Sequence, residues 1–277
     1  MRRLLILLGL IGIASDAVAA EFELPTLRGT DTFLPSPYRP GPRTFNRWSG
    51  FYAGGQVGYG NMHANFARST SDLAAFALRN TTLQDQFHPS DWPVLGATDT
   101  NGASVGGFAG YNMQFEEVIL GVEASYGRTS LSADAPSYPI RRIVTTSDPV
   151  TYDLTIAGSG HVEIHDVATL RARAGWVAGN LLPYVTGGLA VGRGDVSRAV
   201  TIDGTATQGA SVAPFALSAS EAKNSAYLFG WTAGVGLDAM ILPHVFVRGE
   251  IEYVHFQPVS TISTDLVTAR IGAGFKF

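Results

Sequence analysis

The chain has 277 residues, no cysteine and a formal net charge of -4, and only 15% of its residues are charged, against about 25% in ordinary soluble domains. The missing cysteines exclude disulfides, thiolate metal sites and cysteine nucleophiles, and the negative charge argues against a general nucleic-acid binder. No apolar run reaches the roughly 20 residues of a membrane helix, so this weakly charged chain with 32 glycines has a composition that fits a membrane β-barrel.

The N-terminus has the pattern of a secretory signal peptide over residues 1–20. A positively charged start precedes a short apolar stretch and a small-x-small cleavage pattern that ends at Ala19. Cleavage after Ala19 and cleavage after Ala20 both fit this pattern. Residues 21–47 are rich in proline, which favours extended chain and removes backbone donors. We predict that this stretch is a periplasmic arm.

Beyond residue 47 the sequence alternates apolar residues with small or polar ones, which is the period-2 pattern of β-strands. Eight segments of about 11 residues carry it, the length that a tilted membrane strand needs. They are residues 48–60, 104–114, 118–128, 167–178, 183–194, 227–239, 245–256 and 266–277. Short connections alternate with longer ones, as periplasmic turns and surface loops do in a membrane barrel. We therefore predict an all-β domain over residues 48–277: an eight-stranded antiparallel transmembrane β-barrel with short periplasmic turns, long surface loops and both termini in the periplasm.

Charged residues within these segments keep to one face of each strand. In the last segment, Arg270 and Lys276 oppose a wholly apolar face that ends at Phe277. A cation at the lipid midplane costs about 2–4 kcal/mol, so the charged faces should point into the barrel, where acids and bases can pair. The predicted lumen network consists of Glu123, Arg171, Arg173, Arg248, Glu250, Glu252 and Arg270. Asp238 is a further candidate member.

Aromatic residues gather near both ends of the segments, which predicts two girdles at the height of the lipid headgroups. The periplasmic girdle would contain Trp48, Phe51, Trp176, Tyr184, Phe246, Phe275 and Phe277. The outer girdle would contain Tyr59, Tyr126, Tyr227, Phe229, Tyr253 and Phe256.

Several stretches carry a resemblance to a known family. They are residues 48–59, 110–114, 183–190, 230–236 and 250–253. Together they resemble the small outer-membrane β-barrel proteins of alphaproteobacteria, often labelled porin-family proteins, which include surface antigens and hemin-binding proteins. The resemblance implies an eight-stranded barrel in a Gram-negative outer membrane, exposed at the cell surface and surrounded by lipid and lipopolysaccharide. It also implies that a terminal aromatic residue, Phe277 here, is recognised by the barrel-assembly machinery.

The resemblance does not extend to the loops, and residues 254–258 replace the tyrosine- and aspartate-rich ending that is usual in the family. Residues 71–79 have a cap-like start followed by helix formers, which predicts a short helix in the first loop. Residues 150–164, around Gly158 and Gly160, predict a hairpin that extends the third and fourth strands above the membrane. A ten-stranded barrel that uses this hairpin as a spanning pair is the less favoured alternative.

The histidines do not form a metal-binding pattern. His161 and His165 lie four residues apart, which is about 13 Å in an extended strand and too far for one ion. As single heme ligands, His63, His88, His161 and His165 stay open, and solvated loop histidines are the simpler interpretation. We therefore predict no metal site and no bound cofactor.

A catalytic site is not expected either. His255, Ser260 and Glu252 are close in sequence, in a way that resembles an outer-membrane lipid A deacylase. Such an enzyme needs its nucleophile and base within hydrogen-bond reach, and the expected serine two residues after the histidine is missing. We predict that the protein is not an enzyme.

Three functions remain open for such a barrel. The favoured one is a non-enzymatic surface and envelope-integrity protein that interacts through its loops. The second is a surface protein that binds hemin or a host molecule, and the third is a narrow porin. Because side chains usually fill the interior of an eight-stranded barrel, the paired lumen charges favour the first function.

Overall fold

A computed structural model of the protein describes residues 48–277, and the predicted signal peptide and proline-rich arm lie outside these residues. The described chain contains nine strands and two short α-helices. The strands are β1 (Gly50–Asn65), β2 (Ala97–Phe115), β3 (Val118–Asp134), β4 (Ile140–Thr145), β5 (Thr151–Trp176), β6 (Leu181–Gln208), β7 (Ser211–Leu242), β8 (Val245–Val259) and β9 (Ile262–Lys276). The helices are α1 (Ser71–Ala77) and α2 (Thr82–Phe87), and a 3-10 turn (Pro89–Asp91) follows. Within this part of the chain, no helix is both long and apolar enough to cross a membrane.

Eight of the strands close into a ring, which confirms the predicted barrel. β1 pairs with β2 on one side and with β9 on the other, and β3 pairs with β5. Each remaining neighbour in the ring is also antiparallel. The short β4 pairs with β5 above the ring and is not part of it. The ring leaves no open sheet edge at membrane height, as hydrocarbon requires.

The outer surface of the ring is apolar, as the alternation predicts. Phe51 on β1, Leu189 on β6 and Ile271 on β9 are each about two-thirds exposed. β2, whose faces the sequence does not assign, turns Tyr111 outward and buries Phe108 in the lumen. These outward side chains form the band that contacts lipid.

Several strands continue far above the membrane, in regions where the sequence predicts long loops. β5, β6 and β7 contain 26, 28 and 32 residues, whereas a spanning strand needs about 9–11. Above the membrane neither strand face meets lipid, so the sequence has no apolar outer face there and its strand signal weakens.

The predicted hairpin around Gly158 and Gly160 is wrong, because both glycines lie inside the continuous strand β5. The hairpin is formed instead by β4 and β5, which turn between residues 145 and 151. A Cβ at Gly158 would lie 3.0 Å from Val94, and one at Gly160 would lie 2.8 Å from Phe66. The two glycines therefore allow close packing of the first loop against the strand.

That first loop contains the predicted helix and one more. α1 begins at Ser71 as expected. The hydroxyl of Thr81 accepts a hydrogen bond from the backbone of Gln84 at 3.2 Å and caps α2. Residues 66–96, which contain both helices, are called the surface cap below.

Four of the predicted girdle aromatics point into the barrel, so their assignment is wrong. Trp48, Tyr184, Phe246 and Phe256 are all buried, while Phe277 and most other predicted girdle residues lie on the outer surface. The rings that point inward fill a narrow lumen, and the hydroxyl of Tyr184 has a buried hydrogen-bond partner there. Aromatic character near a strand end is therefore shared by residues that face lipid and residues that fill the barrel.

Candidate functional site

The lumen is filled in three layers, which are described from the periplasmic end upward. The lowest layer, called the inner plug, is apolar and largely aromatic. It consists of Trp48, Tyr52, Phe108, Ile119, Val177, Leu182, Met240 and Phe246. The rings of Trp48 and Phe246 meet edge to face with their centroids 6.2 Å apart. A Cβ at Gly274 would lie 2.3 Å from the Phe246 ring, so this glycine makes room for the plug.

The middle layer is the lumen network, and the structure brings all seven predicted residues together with Asp238. Arg171 donates to Glu250 at 2.7 Å, to Glu252 at 2.8 Å and also to Glu123. The eight side chains of this layer are almost completely buried. Four arginines face four carboxylates, so the charges in this layer balance.

The other three arginines complete the lumen network. Arg248 binds Glu123 at 2.7 Å and Asp238 at 2.9 Å. Arg173 donates to Asp238 at 2.5 Å. Arg270 pairs with Glu252 and lies 3.7 Å from Glu250. Buried charges are tolerated when they are paired and hydrogen-bonded in this way.

Uncharged side chains that the sequence does not assign to the network also support it. The Tyr52 hydroxyl donates to Glu123 at 2.7 Å, and the Tyr184 hydroxyl donates to Glu250 at 2.9 Å. The Arg173 guanidinium lies 3.7 Å from the centre of the Tyr184 ring, a cation–π contact. Tyr52 follows Phe51, which faces outward. Because side chains alternate along a strand, this position indicates that Tyr52 points into the lumen.

The upper layer is an apolar core enclosed by the strand extensions and closed by the surface cap. Its larger members include Met62, Phe66, Leu131, Leu154, Ile164 and Phe256. The cap adds Ala74, Leu78 and Leu83 from its helices. Between this core and the lumen network, beside Arg270, lies a cavity of ≈ 20 Å³. That volume is near the minimum for a single water molecule.

One arginine ties the surface cap to the strands. Arg198 of β6 donates to the carbonyl of Ser69 at 2.5 Å and to both carboxylate oxygens of Asp72, at 2.6 and 2.7 Å. Its Nε also donates to Glu221 of β7 at 2.8 Å. Hydrogen bonds from Arg198 and Lys223 lower the pKa of Glu221, which lies above the membrane. Arg198 therefore joins α1, β6 and β7.

The four histidines in the described strands each contact a carboxylate outside the lumen. His63 lies 2.9 Å from Asp99, and His161 lies 2.8 Å from Asp134. His165 contacts Asp195 at 3.1 Å. These contacts join neighbouring strands on the outer surface of the extensions.

The residues considered for a deacylase do not form one. His255 lies 2.6 Å from Asp265, and Ser260 accepts a hydrogen bond from Lys223. Glu252 lies in the lumen network with Arg171 and Arg270. The three candidate groups are therefore bound to different partners.

Phe277 lies at the periplasmic rim of the barrel. Its side chain is 73% exposed, and its backbone N–H donates to the carbonyl of Phe51 at 2.9 Å. Its ring packs edge to face on Phe275, with centroids 5.2 Å apart. The backbone of Phe277 is thus held by β1, where the barrel closes, while its side chain remains exposed.

Residues 44–277 match a family model described as the outer membrane protein beta-barrel domain. A 25 kDa outer-membrane immunogenic protein of Brucella ovis is 24% identical over 244 residues, covering 88% of this chain and 84% of the relative. Its counterpart in Brucella canis is 23% identical over 252 residues, covering 88% and 85%.

Solved structures with a similar fold include Ail of Yersinia pestis, at 13% identity and a TM-score of 0.32, covering 83% of this chain and 99% of that chain. Neisserial surface protein A is 15% identical, with a TM-score of 0.33 and coverage of 83% and 98%. Similarity at this level says nothing about function. The family model spans most of the sequence, and the chain therefore belongs to the outer membrane protein beta-barrel domain family, whose place is the outer membrane.

Proposed function

We propose that the protein is a closed, non-enzymatic barrel that supports the integrity of the envelope and presents its extracellular part to surface partners. The filled lumen carries this proposal. An apolar inner plug, a charge-balanced network and an apolar upper core follow one another along the barrel axis. A solute would have to displace all three layers, so the narrow-porin alternative has no comparable support.

The part of the chain above the membrane supports a role at the surface. β5, β6 and β7 extend well beyond spanning length, and the surface cap has its own buried side chains. The Brucella relatives are named outer-membrane immunogenic proteins, which fits a chain whose outer part is accessible. Of the histidines considered as heme ligands, His63, His161 and His165 are each paired with a carboxylate, and His88 is exposed in the surface cap. No observation on the described residues therefore favours a heme site.

Lipopolysaccharide is the proposed lipid partner at the outer rim. Arg128 and Arg193 lie beside the girdle residues Tyr126 and Tyr227, and their side chains are 77% and 48% exposed. Arg193 also forms a salt bridge with Asp166 at 2.5 Å. Guanidinium groups suit phosphate binding, so this rim supports contact with phosphorylated headgroups.

At the opposite end, the exposed Phe277 supports recognition by the barrel-assembly machinery.

Planar-bilayer recording tests whether the lumen is closed. The refolded protein should show no discrete conductance steps, and its fold can be checked beforehand by heat-modifiable gel mobility. A variant in which a short Gly-Ser linker replaces residues 67–95 should stay silent, because the inner plug and the lumen network remain. Reproducible steps from the wild-type protein would overturn the proposal in favour of a porin.

A deletion strain tests the envelope role separately. Loss of the protein should raise sensitivity to detergent, and the wild-type gene should restore resistance. The variant without the surface cap should restore it as well, because the membrane-spanning ring keeps its inner plug and its lumen network. Equal detergent resistance in the deletion and parent strains would contradict a role in envelope integrity.

A further inference from the structure

Three neighbouring strands become irregular at the same height above the membrane. The pairing of β5 with β6 shifts between Ile164 and Asp166. The pairing of β6 with β7 shifts next to Asp195, and Ser225 on β7 has a φ of 54°. Bulges change the direction of side chains and are common next to functional sites. Here they bring together side chains from β5 and β6.

The residues brought together are two carboxylates and one imidazole. Glu163 and Asp195 are direct cross-strand partners, an arrangement in which two like charges destabilise a sheet. His165 lies between them, with Nε2 3.1 Å from Asp195 and Nδ1 3.5 Å from Glu163. One ligand atom from each residue lies within 4.8 Å of the other two.

The carboxylate of Asp195 is held in position by the bulge. Its Oδ1 accepts a hydrogen bond from the backbone N–H of Ser225 at 2.7 Å, so Oδ2 is the oxygen that faces His165. This backbone hydrogen bond and the one from His165 lower the pKa of Asp195. The nearby Arg193 is paired with Asp166 at 2.5 Å. The three side chains are each about 40% exposed, so an ion can reach them from solvent.

We propose that Glu163, His165 and Asp195 form a surface site for a divalent transition-metal ion of the zinc class. One imidazole nitrogen and two carboxylate oxygens are ligands that zinc accepts, with water in the open position. The imidazole favours such an ion over Mg²⁺ or Ca²⁺, which prefer oxygen ligands only. The ion would neutralise the opposed carboxylates and fasten β5 to β6 above the membrane.

The other histidine–carboxylate contacts differ from this group. Within residues 48–277, it is the only set of three such side chains close enough to share an ion. His255 and Asp265 form a pair on β8 and β9 with a comparable contact of 2.6 Å. That pair therefore provides a matched control.

The site is tested by zinc titration of the protein, purified from membranes in detergent without a polyhistidine tag. Isothermal calorimetry with Zn²⁺ in excess Mg²⁺ should show one site on the wild-type protein. H165Q and E163Q should each weaken that binding at least tenfold, whereas H255Q should leave it unchanged. Visible absorption of bound Co²⁺ should be lost in the same two variants. Absence of wild-type binding, or equal binding by H165Q, would overturn the proposal.

Discussion

Replacing Arg171 by leucine tests the lumen network directly. The substitution removes a cation that contacts Glu123, Glu250 and Glu252, and it leaves the layer with one uncompensated negative charge. Breaking a buried ion pair costs about 3–5 kcal/mol. Each of the three acids keeps another arginine, Arg248 or Arg270, so we expect a loss near the lower end, about 3 kcal/mol.

The measurement is urea unfolding of the protein refolded into lipid vesicles, followed by tryptophan fluorescence. With a slope of about 3 kcal/mol per M urea, the midpoint should fall by about 1 M. Arg141→Leu is the matched control, because Arg141 forms an exposed pair with Asp153 at 2.7 Å and exposed pairs contribute little. A midpoint for Arg171→Leu that moves no more than that of Arg141→Leu would refute the reasoning. The double variant Arg171→Leu with Glu250→Gln restores charge balance and should regain part of the loss.

Four further predictions concern the inner plug, the surface cap and the C-terminus. Gly274→Ala should impair refolding, seen as loss of heat-modifiable mobility, because its Cβ would meet a buried ring at 2.3 Å. Arg198→Leu should release the surface cap and speed its cleavage by trypsin at neutral pH. Acid should weaken the salt bridge that holds Arg198 on β7: the lowered pKa of Glu221 means that this contribution is present above the unfolded-state pKa of about 4.3 and is lost as pH falls through the folded-state pKa. The surface cap that Arg198 anchors should then become easier to cleave. Deleting Phe277 should lower the amount of protein in the outer membrane.

Gly274→Ala, the acid effect and the deletion of Phe277 each have a control or a contradicting result. Gly249→Ala should refold normally, since nothing lies within 4 Å of its added Cβ. Pepsin cleavage of the cap that does not accelerate between pH 5 and pH 3, relative to an unstructured substrate, would contradict the acid effect. Normal outer-membrane levels without Phe277 would show that assembly does not need the terminal ring.

The sequence predicts the ring of strands well, because lipid imposes a pattern on every spanning strand. Alternation places Phe51 and Ile271 outside, and the cost of a charge in lipid places Arg171 and Glu250 inside. The alternation of residues along a strand can be read from the local sequence, and it is sufficient to assign these side chains to the outer surface or the lumen. At Tyr184, aromatic character alone misassigns the residue to the girdle.

The remaining features depend on register and on contacts between distant segments. Glu163 meets Asp195 only because β5 and β6 pair in one register, and no spacing within either strand shows this. Gly158 and Gly160 look like a turn in sequence, and their role becomes visible only with the cap residues packed on them. Above the membrane no lipid constrains the outer face, so the long extensions lack the pattern that identifies a spanning strand.

The length of the β6–β7 hairpin also determines how far the protein reaches from the cell. A strand of 32 residues at about 3.3 Å per residue is about 105 Å long along its own axis, whereas a tilted strand needs only about 9–11 residues to span the membrane. Most of the β6–β7 hairpin therefore projects from the outer membrane surface, and the turn at Gly209 lies at its far end. Gly209 has a φ of 61°, a backbone conformation that favours glycine, and nothing lies within 4 Å of the space that a Cβ would occupy there. We therefore expect that a peptide epitope inserted next to Gly209, with the glycine kept, leaves the barrel below folded.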